Sequence, residues 1–338
     1  MNRFTALTEQ AHDKKINRTG ILMTNRGTPD EPETASVRRY LREFRSDSRV
    51  VESPKLLWMI ILHGIILRVR PARSARLYKD IWSAEGSPLL AIGKRQRDRL
   101  EQLLRENGQQ DYELQLAMRY GNPSIRDALR AFQQQGIHRI VVLPLYPQYA
   151  GPTTGSTFDV VADEFKQWRW VPELHFINSY HDHPLYIEAL ANSIRKHVAE
   201  HGKPQKLVLS YHGMPRRNLM LGDPYHCHCQ KTTRLVMQQL GFAEDEFVTT
   251  FQSRFGKAEW LKPYTDATLL SLPGQGVKDV AIISPAFSAD CLETIQELDQ
   301  ENREIFMEAG GEQYRYIPCL NDDDEHIRLM AELVQPYL

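Results

Sequence analysis

One histidine and three evenly spaced glutamates are the residues of this chain best suited to joint chemistry. His212 follows the apolar run at 207–211, and Glu293, Glu297 and Glu301 lie four residues apart. Side chains four residues apart share one face of a helix. If the end of the strand faces the start of that helix, one imidazole confronts a row of carboxylates. Such an arrangement suits the movement of a divalent cation in one direction and of protons in the other.

Each of these residues also has a plain structural interpretation. A histidine at the end of a strand more often serves structure than chemistry. Glutamates at this spacing usually form a solvated helix face, and Asp290, three residues before Glu293, is equally well placed to cap the helix. The residues alone leave both interpretations open.

Length and composition narrow the class of protein. The chain has 338 residues, enough for two domains, with 41% hydrophobic and 25% charged residues, as in a globular protein. Its net charge is −1 and it has no long basic run, so nucleic acid is an unexpected partner. The first ten residues lack the apolar core of a signal peptide, and no apolar run reaches the length of a spanning helix. Four cysteines do not make a disulfide framework, which predicts a reducing, cytoplasmic setting.

Apolar runs alternate with helix-length amphipathic segments along the chain. The runs are continuous rather than alternating, which is typical of parallel strands covered on both faces. This alternation predicts an α/β protein with two doubly wound, Rossmann-like domains built on parallel sheets. The clearest predicted strands are 20–25, 138–145, 206–211 and 278–284. The predicted helices lie near 33–45, 94–107, 124–135, 184–200, 230–240, 291–308 and 323–335.

A weak internal repeat supports two domains. A glycine follows the first strand of each half, at Gly27 and Gly213, and a later strand in each half reaches a proline, at Pro144 and Pro285. We expect the domains to comprise residues 1–180 and 181–338, with the last helix as a candidate for packing back on the first domain.

The apolar run at 55–70 has two interpretations. One is a buried core helix. The other is an exposed apolar lip over a large flat ligand, which would also be able to touch a membrane surface.

Ligands of doubly wound sheets bind beyond the carboxyl ends of the strands. Aromatic residues cluster at those ends, at Tyr146, Tyr149, Tyr211 and Phe287, and predict an apolar cleft between the two domains. The dinucleotide fingerprint, the phosphate-binding loop and the nucleophile elbow are absent from the sequence. An α/β chain without these motifs needs another chemistry.

The chain resembles the ferrochelatases. Ser-Tyr-His-Gly-Met-Pro at 210–215, followed by Gly-Asp-Pro-Tyr at 222–225, is similar to their signature. Together the matches run in order over about 310 residues. Further matches are Gly27-Thr28-Pro29, Gly86-Ser87-Pro88-Leu89, Arg119-Tyr120, Leu145-Tyr146-Pro147-Gln148-Tyr149, Phe251-Gln252-Ser253-Arg254, Glu259-Trp260-Leu261 and Asp290-Cys291-Leu292-Glu293-Thr294.

This resemblance implies an enzyme of the lyase class, a metal chelatase. The family inserts ferrous iron into a porphyrin in the last step of haem synthesis, and its proteobacterial members act on protoporphyrin IX. Ferrous iron and the porphyrin are then substrates, and no resident cofactor is expected. Two other functions stay open: a noncatalytic porphyrin or haem carrier, and a chelatase for another tetrapyrrole or metal.

The resemblance also implies roles for individual residues. His212 would abstract pyrrole protons, bind iron, or do both, and Glu293 would face it. Glu297 and Glu301 would extend a path for iron and protons toward solvent, and Asp290 would orient His212 or cap the helix. The predicted metal ligands are thus His212, Glu293, Glu297 and Glu301.

Other matches resemble the substrate-binding positions of the family. Tyr211, Trp260 and Phe287 correspond to walls of the porphyrin pocket. The positions near the propionates or the pocket lip are Arg70, Ser87, Arg119 and Tyr120, of which Arg119 is equally well interpreted as a buried structural arginine.

Arg26 departs from the family pattern, which commonly has an apolar residue or a tyrosine at this position. A cation here would bind a propionate, stack on the ring or disfavour a neutral edge.

The run His226-Cys227-His228-Cys229 is a candidate metal cluster, with Cys291 and Cys319 as further candidate ligands, although similar cysteine pairs follow the Gly-Asp-Pro-Tyr segment in relatives. A Cys-x-Cys pair with flanking histidines is able to bind zinc or part of an iron–sulfur centre. Adjacent residues rarely supply a whole tetrahedral shell, and cluster-bearing relatives have a cysteine just after the Tyr-Pro-Gln-Tyr turn, where this chain has Ala150. We therefore do not expect a cluster.

Overall fold

Eight strands arranged in two parallel sheets form the framework of the computed structural model, which describes residues 4–5, 18–256 and 258–338. Of the first ten residues, which bear on the signal-peptide prediction, all but residues 4 and 5 lie outside the described residues. The first sheet has the order β2-β1-β3-β4 and the second has the order β6-β5-β7-β8. The strands are Thr19–Gly27 (β1), Tyr112–Tyr120 (β2), Arg139–Pro144 (β3), Glu173–Phe176 (β4), Lys206–His212 (β5), Phe247–Gln252 (β6), Asp279–Ile283 (β7) and Gln313–Ile317 (β8). The predicted fold class is confirmed.

Helices connect the strands of each sheet. Those before β5 are Thr34–Ser46 (α1), Lys55–Ile61 (α2), Leu67–Ile81 (α3), Pro88–Glu106 (α4), Ile125–Gln134 (α5), Ser156–Phe165 (α6) and Pro184–His201 (α7). Those after β5 are Arg216–Met220 (α8), Tyr225–Leu240 (α9), Thr265–Ser271 (α10), Asn302–Glu308 (α11) and Asp324–Val334 (α12). Three segments have the wider π-helical form, namely Leu62–Ile66, Gly151–Gly155 and Glu293–Glu301.

The chain divides into two units, one around each sheet. Unit 1 contains the described residues up to Leu145 together with Gly151–Asn178 and Ile327–Leu338, and unit 2 contains Tyr146–Ala150 and Ser179–His326. The main boundary between the units lies between Asn178 and Ser179, two residues before the boundary expected from the sequence. The end of the chain belongs to unit 1, where the Tyr337 carbonyl accepts a hydrogen bond from the Thr19 hydroxyl at 3.2 Å.

Each unit has its own apolar core between its sheet and the helices that cover it. In unit 1 the core includes Leu22 and Val142 of the central strands with Phe132 of α5 and Val161 of α6. In unit 2 the corresponding cluster includes Val208 and Ile282, which pack with Leu298 and Phe306. Central strands buried on both faces thus give the continuous apolar runs seen in the sequence.

The internal repeat of the sequence is also present in the backbone. A side chain at Gly27 would place its Cβ 1.8 Å from the carbonyl oxygen of Tyr120, and one at Gly213 would place it 2.5 Å from that of Gln252. Gly27 is the last residue of β1 and Gly213 directly follows β5, and in each unit this glycine lets the backbone approach the end of the neighbouring edge strand. Both glycines lie at the edge of the sheet where ligands of this fold bind.

The 55–81 segment is an exposed helical structure, so the interpretation of 55–70 as a buried core helix is wrong. Leu62 and Leu67 are buried and anchor the segment, and α3 packs on α1. No helix among the described residues is long and apolar enough to cross a bilayer. Five apolar side chains of this segment are more than half exposed: Leu56 (80%), Leu57 (57%), Ile60 (64%), Ile65 (60%) and Val69 (68%).

Candidate active site

The switch point of unit 2 brings together the two segments that carry the candidate catalytic residues. Strands β5 and β7 are neighbours in the sheet, and the chain leaves them toward opposite sides because β6 and β8 flank them. His212 is the last residue of β5, and residues 284–292 lead from β7 into the π-helical segment Glu293–Glu301. The carboxyl ends of two adjacent parallel strands form the crevice where ligands of this fold bind.

Alternation along β5 decides which side chains face this site. Ser210 and His212 share one face of the sheet, and Tyr211 points to the other. Tyr211 has no exposed surface, and its hydroxyl lies 3.0 Å from that of Thr233 on α9. Tyr211 is therefore packed on the face of the sheet opposite to His212, and its predicted place in a pocket wall stays a prediction.

The hydrogen bonding of His212 fixes the tautomer of its neutral ring. Its Nδ1 atom lies 2.8 Å from the carbonyl oxygen of Gly213. A carbonyl oxygen only accepts, so Nδ1 carries the hydrogen and Nε2 carries the lone pair. The partly exposed ring lies 6.3 Å from that of Phe287, measured between centroids. The site therefore presents a base or metal-binding nitrogen beside an aromatic surface.

Glu293 begins the π-helical segment and is held at both its main chain and its side chain. The Gln252 amide nitrogen donates to the Glu293 carbonyl at 2.9 Å, and the Cys291 thiol donates to its carboxylate at 3.1 Å. The π-helical form bears on this site because such widened turns are common at functional sites.

Glu297 has a perturbed carboxyl. Burial raises its pKa from 4.5 to about 7, helped by the charge of Glu293, although hydrogen bonds from Ser253 oppose the shift. Ser253 donates to this carboxylate twice, from its main-chain nitrogen at 2.7 Å and from its hydroxyl. The side chain keeps part of its surface exposed, so the carboxyl is surrounded by protein without being sealed from water. A carboxyl with a pKa near 7 can take up and release protons at physiological pH.

Three of the four predicted metal ligands, Glu293, Glu297 and Glu301, are spread along the π-helical segment, and the fourth, His212, ends β5. Glu301 is exposed, whereas Glu293 and Glu297 are partly buried. Within the described part of the chain, no three His, Cys, Asp or Glu side chains are placed to hold a metal ion together. The path along the three glutamates stays a prediction.

Asp290 is occupied by structural hydrogen bonds. Its carboxylate accepts from the hydroxyls of Thr294 and Tyr316 and from the Asn321 amide at 2.7 Å. These partners tie the loop after β7 to the end of β8. The Asp290 main-chain nitrogen also donates to the Asn321 side-chain oxygen at 2.8 Å, so these contacts support a role in fixing the loop. The predicted role in orienting His212 stays a prediction.

Trp260 supports the turn after His212. It is buried, and its Cε3 atom would lie 3.1 Å from a Cβ at Gly213. Its ring meets the partly exposed Phe255 edge to face at 5.6 Å between centroids. The predicted place of Trp260 in a pocket wall stays a prediction, but contact with the residue after His212 gives it a clear structural role.

The predicted substrate residues of unit 1 have varied surroundings. Ser87 is buried and caps α4 through a hydrogen bond from the Leu90 nitrogen. Arg70 is exposed on α3, and the Arg26 guanidinium lies 5.6 Å from the centre of the Phe44 ring.

Arg119 and Tyr120 belong to one buried polar network. Arg119 donates to Asp47 and to Ser156, and the Tyr120 hydroxyl donates to Asp47 at 2.8 Å. This favours the structural interpretation of Arg119, and the substrate roles of both residues stay predictions.

The His226–Cys229 run lies at the start of α9, with its side chains in different environments. Cys229 is buried and Cys227 is exposed. His226 stacks on Phe251, whereas His228 stacks on His181 with ring centres 3.6 Å apart and accepts a hydrogen bond from the Tyr149 nitrogen. The side chains of the run thus have different partners, and the expectation that they hold no cluster stays a prediction.

Comparison with known proteins gives one consistent family. A family model described as Ferrochelatase matches residues 18–338. A protein of Shewanella oneidensis named ferrochelatase 2 is 64% identical over 319 residues, which cover 94% of this chain and 97% of the relative. The ferrochelatases of Shewanella denitrificans and Hydrogenovibrio crunogenus are 59% and 56% identical, covering 96% and 93% of this chain and 99% and 84% of theirs.

The chain belongs to the ferrochelatase family. It is therefore an enzyme, a metal chelatase of haem biosynthesis, with porphyrin and iron as its substrate classes. The resemblance found in the sequence is confirmed.

Solved structures agree on the fold. SirB from Bacillus subtilis, solved with Fe³⁺, aligns with a TM-score of 0.55 at 12% identity and covers 94% of each chain. CbiX, described as the terminal enzyme of sirohaem biosynthesis in denitrifying bacteria, aligns with a TM-score of 0.52 at 11% identity, covering 94% of this chain and 99% of its own. At these identities the likeness concerns the fold alone.

Two residues that contact the acidic helix received no role from the sequence. Gln252 and Ser253 follow one another at the end of β6 and bind the main chain of Glu293 and the carboxylate of Glu297. The one signal in the sequence was that both residues belong to the family match Phe251-Gln252-Ser253-Arg254. Polar side chains at the end of a strand have no distinctive spacing of their own.

We expect stability to depend on pH through Glu297. Since its pKa is raised from 4.5 to about 7, the folded protein keeps this proton where the unfolded chain releases it. Glu297 thus contributes stability that is complete below about pH 4.5 and is lost as the pH rises through about 7. We therefore compare the thermal midpoints of the wild type and of Glu297→Gln, both measured without iron or porphyrin. The midpoint of the wild type should decrease relative to that of Glu297→Gln as the pH rises from about 4.5 to about 7.

Glu301→Gln is the matched control, because it removes a carboxylate from the exposed part of the same helix. If the difference in thermal midpoint between the wild type and Glu297→Gln stayed constant over this pH range, the Glu297 carboxyl would titrate as in a solvated peptide, and the prediction would be wrong.

Proposed function

We propose that the chain inserts Fe(II) into protoporphyrin IX and releases two protons, with His212 and Glu293 as the residues that act on the ring and the metal. The observation that carries this proposal is the placement of His212 at the end of β5 beside the loop from β7 that leads to Glu293. Family membership supplies the reaction class, and the geometry of unit 2 supports the choice of residues.

His212 is suited to the protons of the ring. Metal insertion requires the two pyrrole N–H groups to lose their protons as two Fe–N bonds replace them. The Nε2 lone pair of a neutral imidazole is a base of the right strength near pH 7. Phe287, at 6.3 Å from the imidazole, provides an aromatic face against which a flat macrocycle can pack.

The glutamates are suited to the iron and to the onward movement of protons. Carboxylate oxygens are suitable ligands for Fe(II), and Glu293 stands first in the row. Glu297, with a pKa near 7, can exchange a proton at each turnover, and the exposed Glu301 connects the row with solvent. Iron and protons would use these positions in opposite directions, which keeps the summed charge along the row from building up.

We predict that His212→Ala abolishes iron insertion and leaves porphyrin binding largely intact. Loss of a positioned base costs about 100- to 10,000-fold in rate. Anaerobic absorbance assays with Fe(II) and protoporphyrin IX measure the rate, and quenching of protein fluorescence measures binding. Turnover at the wild-type rate would exclude His212 as the base, and a noncatalytic carrier would show binding without turnover even in the wild type.

We predict graded effects along the glutamate row. Glu293→Gln should be severely impaired because it removes the carboxylate next to the ring. Glu301→Gln should mainly raise the apparent KM for iron because its side chain lies at the solvent end. Equal and negligible effects at 293, 297 and 301 would remove the path for iron and protons.

The substrate contacts of unit 1 complete the proposal. Arg70, Ser87, Arg119 and Tyr120 would lie near the propionates or the pocket lip, and Arg26 would influence which ring edges are accepted. A cytoplasmic location is also proposed, and the four cysteines, none of which forms a disulfide, suit a reducing compartment.

We also propose that the exposed apolar segment makes a transient contact with an anionic membrane surface. Residues 55–81 carry six lysines and arginines and one aspartate, so the exposed apolar side chains stand among positive charges. Apolar burial and attraction to acidic lipids are the two terms that hold such helices at an interface.

The vesicle test compares an Ile60→Ser variant with Leu270→Ser, a matched change at an exposed leucine of α10 in unit 2. The wild type and Leu270→Ser should sediment with phosphatidylglycerol vesicles more than with phosphatidylcholine vesicles, and Ile60→Ser should bind about tenfold more weakly. Equal binding by both variants would place the contact elsewhere.

A further inference from the structure

Gln252 touches both segments of the candidate active site. It is the last residue of β6, only 3% exposed, and pairs in register with His212 of β5. Register partners in adjacent strands point to the same side of a sheet, so its amide lies on the face that carries Ser210 and His212.

Three hydrogen bonds define the position of this residue. The Ser210 hydroxyl donates to the Gln252 Oε1 atom at 2.8 Å, and the Gly213 nitrogen donates to its main-chain oxygen at 2.8 Å. These two contacts flank His212 on β5. On the other side, the Gln252 Nε2 atom donates to the Glu293 carbonyl at 2.9 Å.

These contacts make Gln252 a bridge between the histidine strand and the acidic helix. A carboxamide both accepts and donates, so it can hold the two segments at once, whereas a carboxylate or a thioether of similar size cannot. Ser253 continues the bridge, because it donates twice to the Glu297 carboxylate. Gln252 and Ser253 thus form hydrogen bonds with the π-helical segment at two positions, Glu293 and Glu297.

We propose that Gln252 is a positioning residue for iron insertion, which sets Glu293 against His212 without touching either substrate. This inference rests on the proposed function, in which both residues act on the same macrocycle. A displacement of a reacting group by about 1 Å can cost about 100-fold in rate. Loss of the bridge should therefore lower kcat and leave the KM for porphyrin nearly unchanged.

The experiment compares Gln252→Met and Gln252→Glu with Gln96→Met. Gln252→Met removes both side-chain hydrogen bonds at nearly constant volume. Gln252→Glu keeps an acceptor for Ser210 and loses the donor to Glu293. Gln96→Met is the matched control, because Gln96 is a fully buried glutamine of unit 1 outside the candidate active site. Rates are expressed per folded protein, and thermal midpoints are recorded in parallel.

We expect kcat to fall about 10- to 100-fold in both Gln252 variants, with the KM for protoporphyrin IX within about twofold of the wild type. Gln96→Met should keep its kcat even if its thermal midpoint falls. A wild-type kcat in Gln252→Glu, or equal losses of kcat in Gln96→Met and Gln252→Met, would overturn the proposal.

Two further variants keep the outcome decisive. If Gln252→Met does not fold, Ser210→Ala tests the same bridge by releasing the amide oxygen, with an expected loss of about fivefold in kcat, and an unchanged kcat would count against the proposal. His212→Ala separates the two proposals: an active His212→Ala overturns the proposed function, whereas an inactive His212→Ala with wild-type kcat in the Gln252 variants overturns this inference alone.

Discussion

The adjacency of β5 and β7 in a parallel sheet is the constraint on which the candidate site depends. Parallel strands end at the same edge, and the order β6-β5-β7-β8 sends the following connections apart. This opens a crevice at which His212 ends one strand and the loop toward Glu293 leaves the other. The backbone must turn at once after His212, and Gly213 allows it, because any side chain there would collide with the Gln252 carbonyl. The strand order and the absence of a side chain at Gly213 thus determine where His212 lies in the candidate site.

The two faces of the second sheet divide structural from chemical residues. Tyr211 and its register partner Phe251 lie on one face with α9, through Thr233 and His226. Ser210, His212 and Gln252 lie on the other face, toward α10 and the π-helical segment, and Ser210 also meets Thr265 of α10 at 2.9 Å. A tightly packed face fixes the strand, and the face next to the acidic helix carries the groups that can take part in the reaction.

The sequence identified the central strands and missed the edge strands for a physical reason. The four predicted strands are β1, β3, β5 and β7, each hydrogen-bonded on both sides and covered on both faces. The other four are edge strands, and their polar residues, as in Glu-Leu-His-Phe of β4, hide the apolar signal. His212 and the glutamate row were identified as candidates from spacing and family resemblance, and their roles stay predictions. The burial of Tyr211 was not predictable, because a continuous apolar run does not reveal which alternate residues face the ligand.

A crystal structure of the protein with protoporphyrin IX, grown without oxygen, tests the central claim most directly. The account predicts that the His212 Nε2 atom and the Glu293 carboxylate both lie within about 3–4 Å of the pyrrole nitrogens or of a metal at their centre. A macrocycle bound with its nitrogens beyond the reach of either side chain would contradict it.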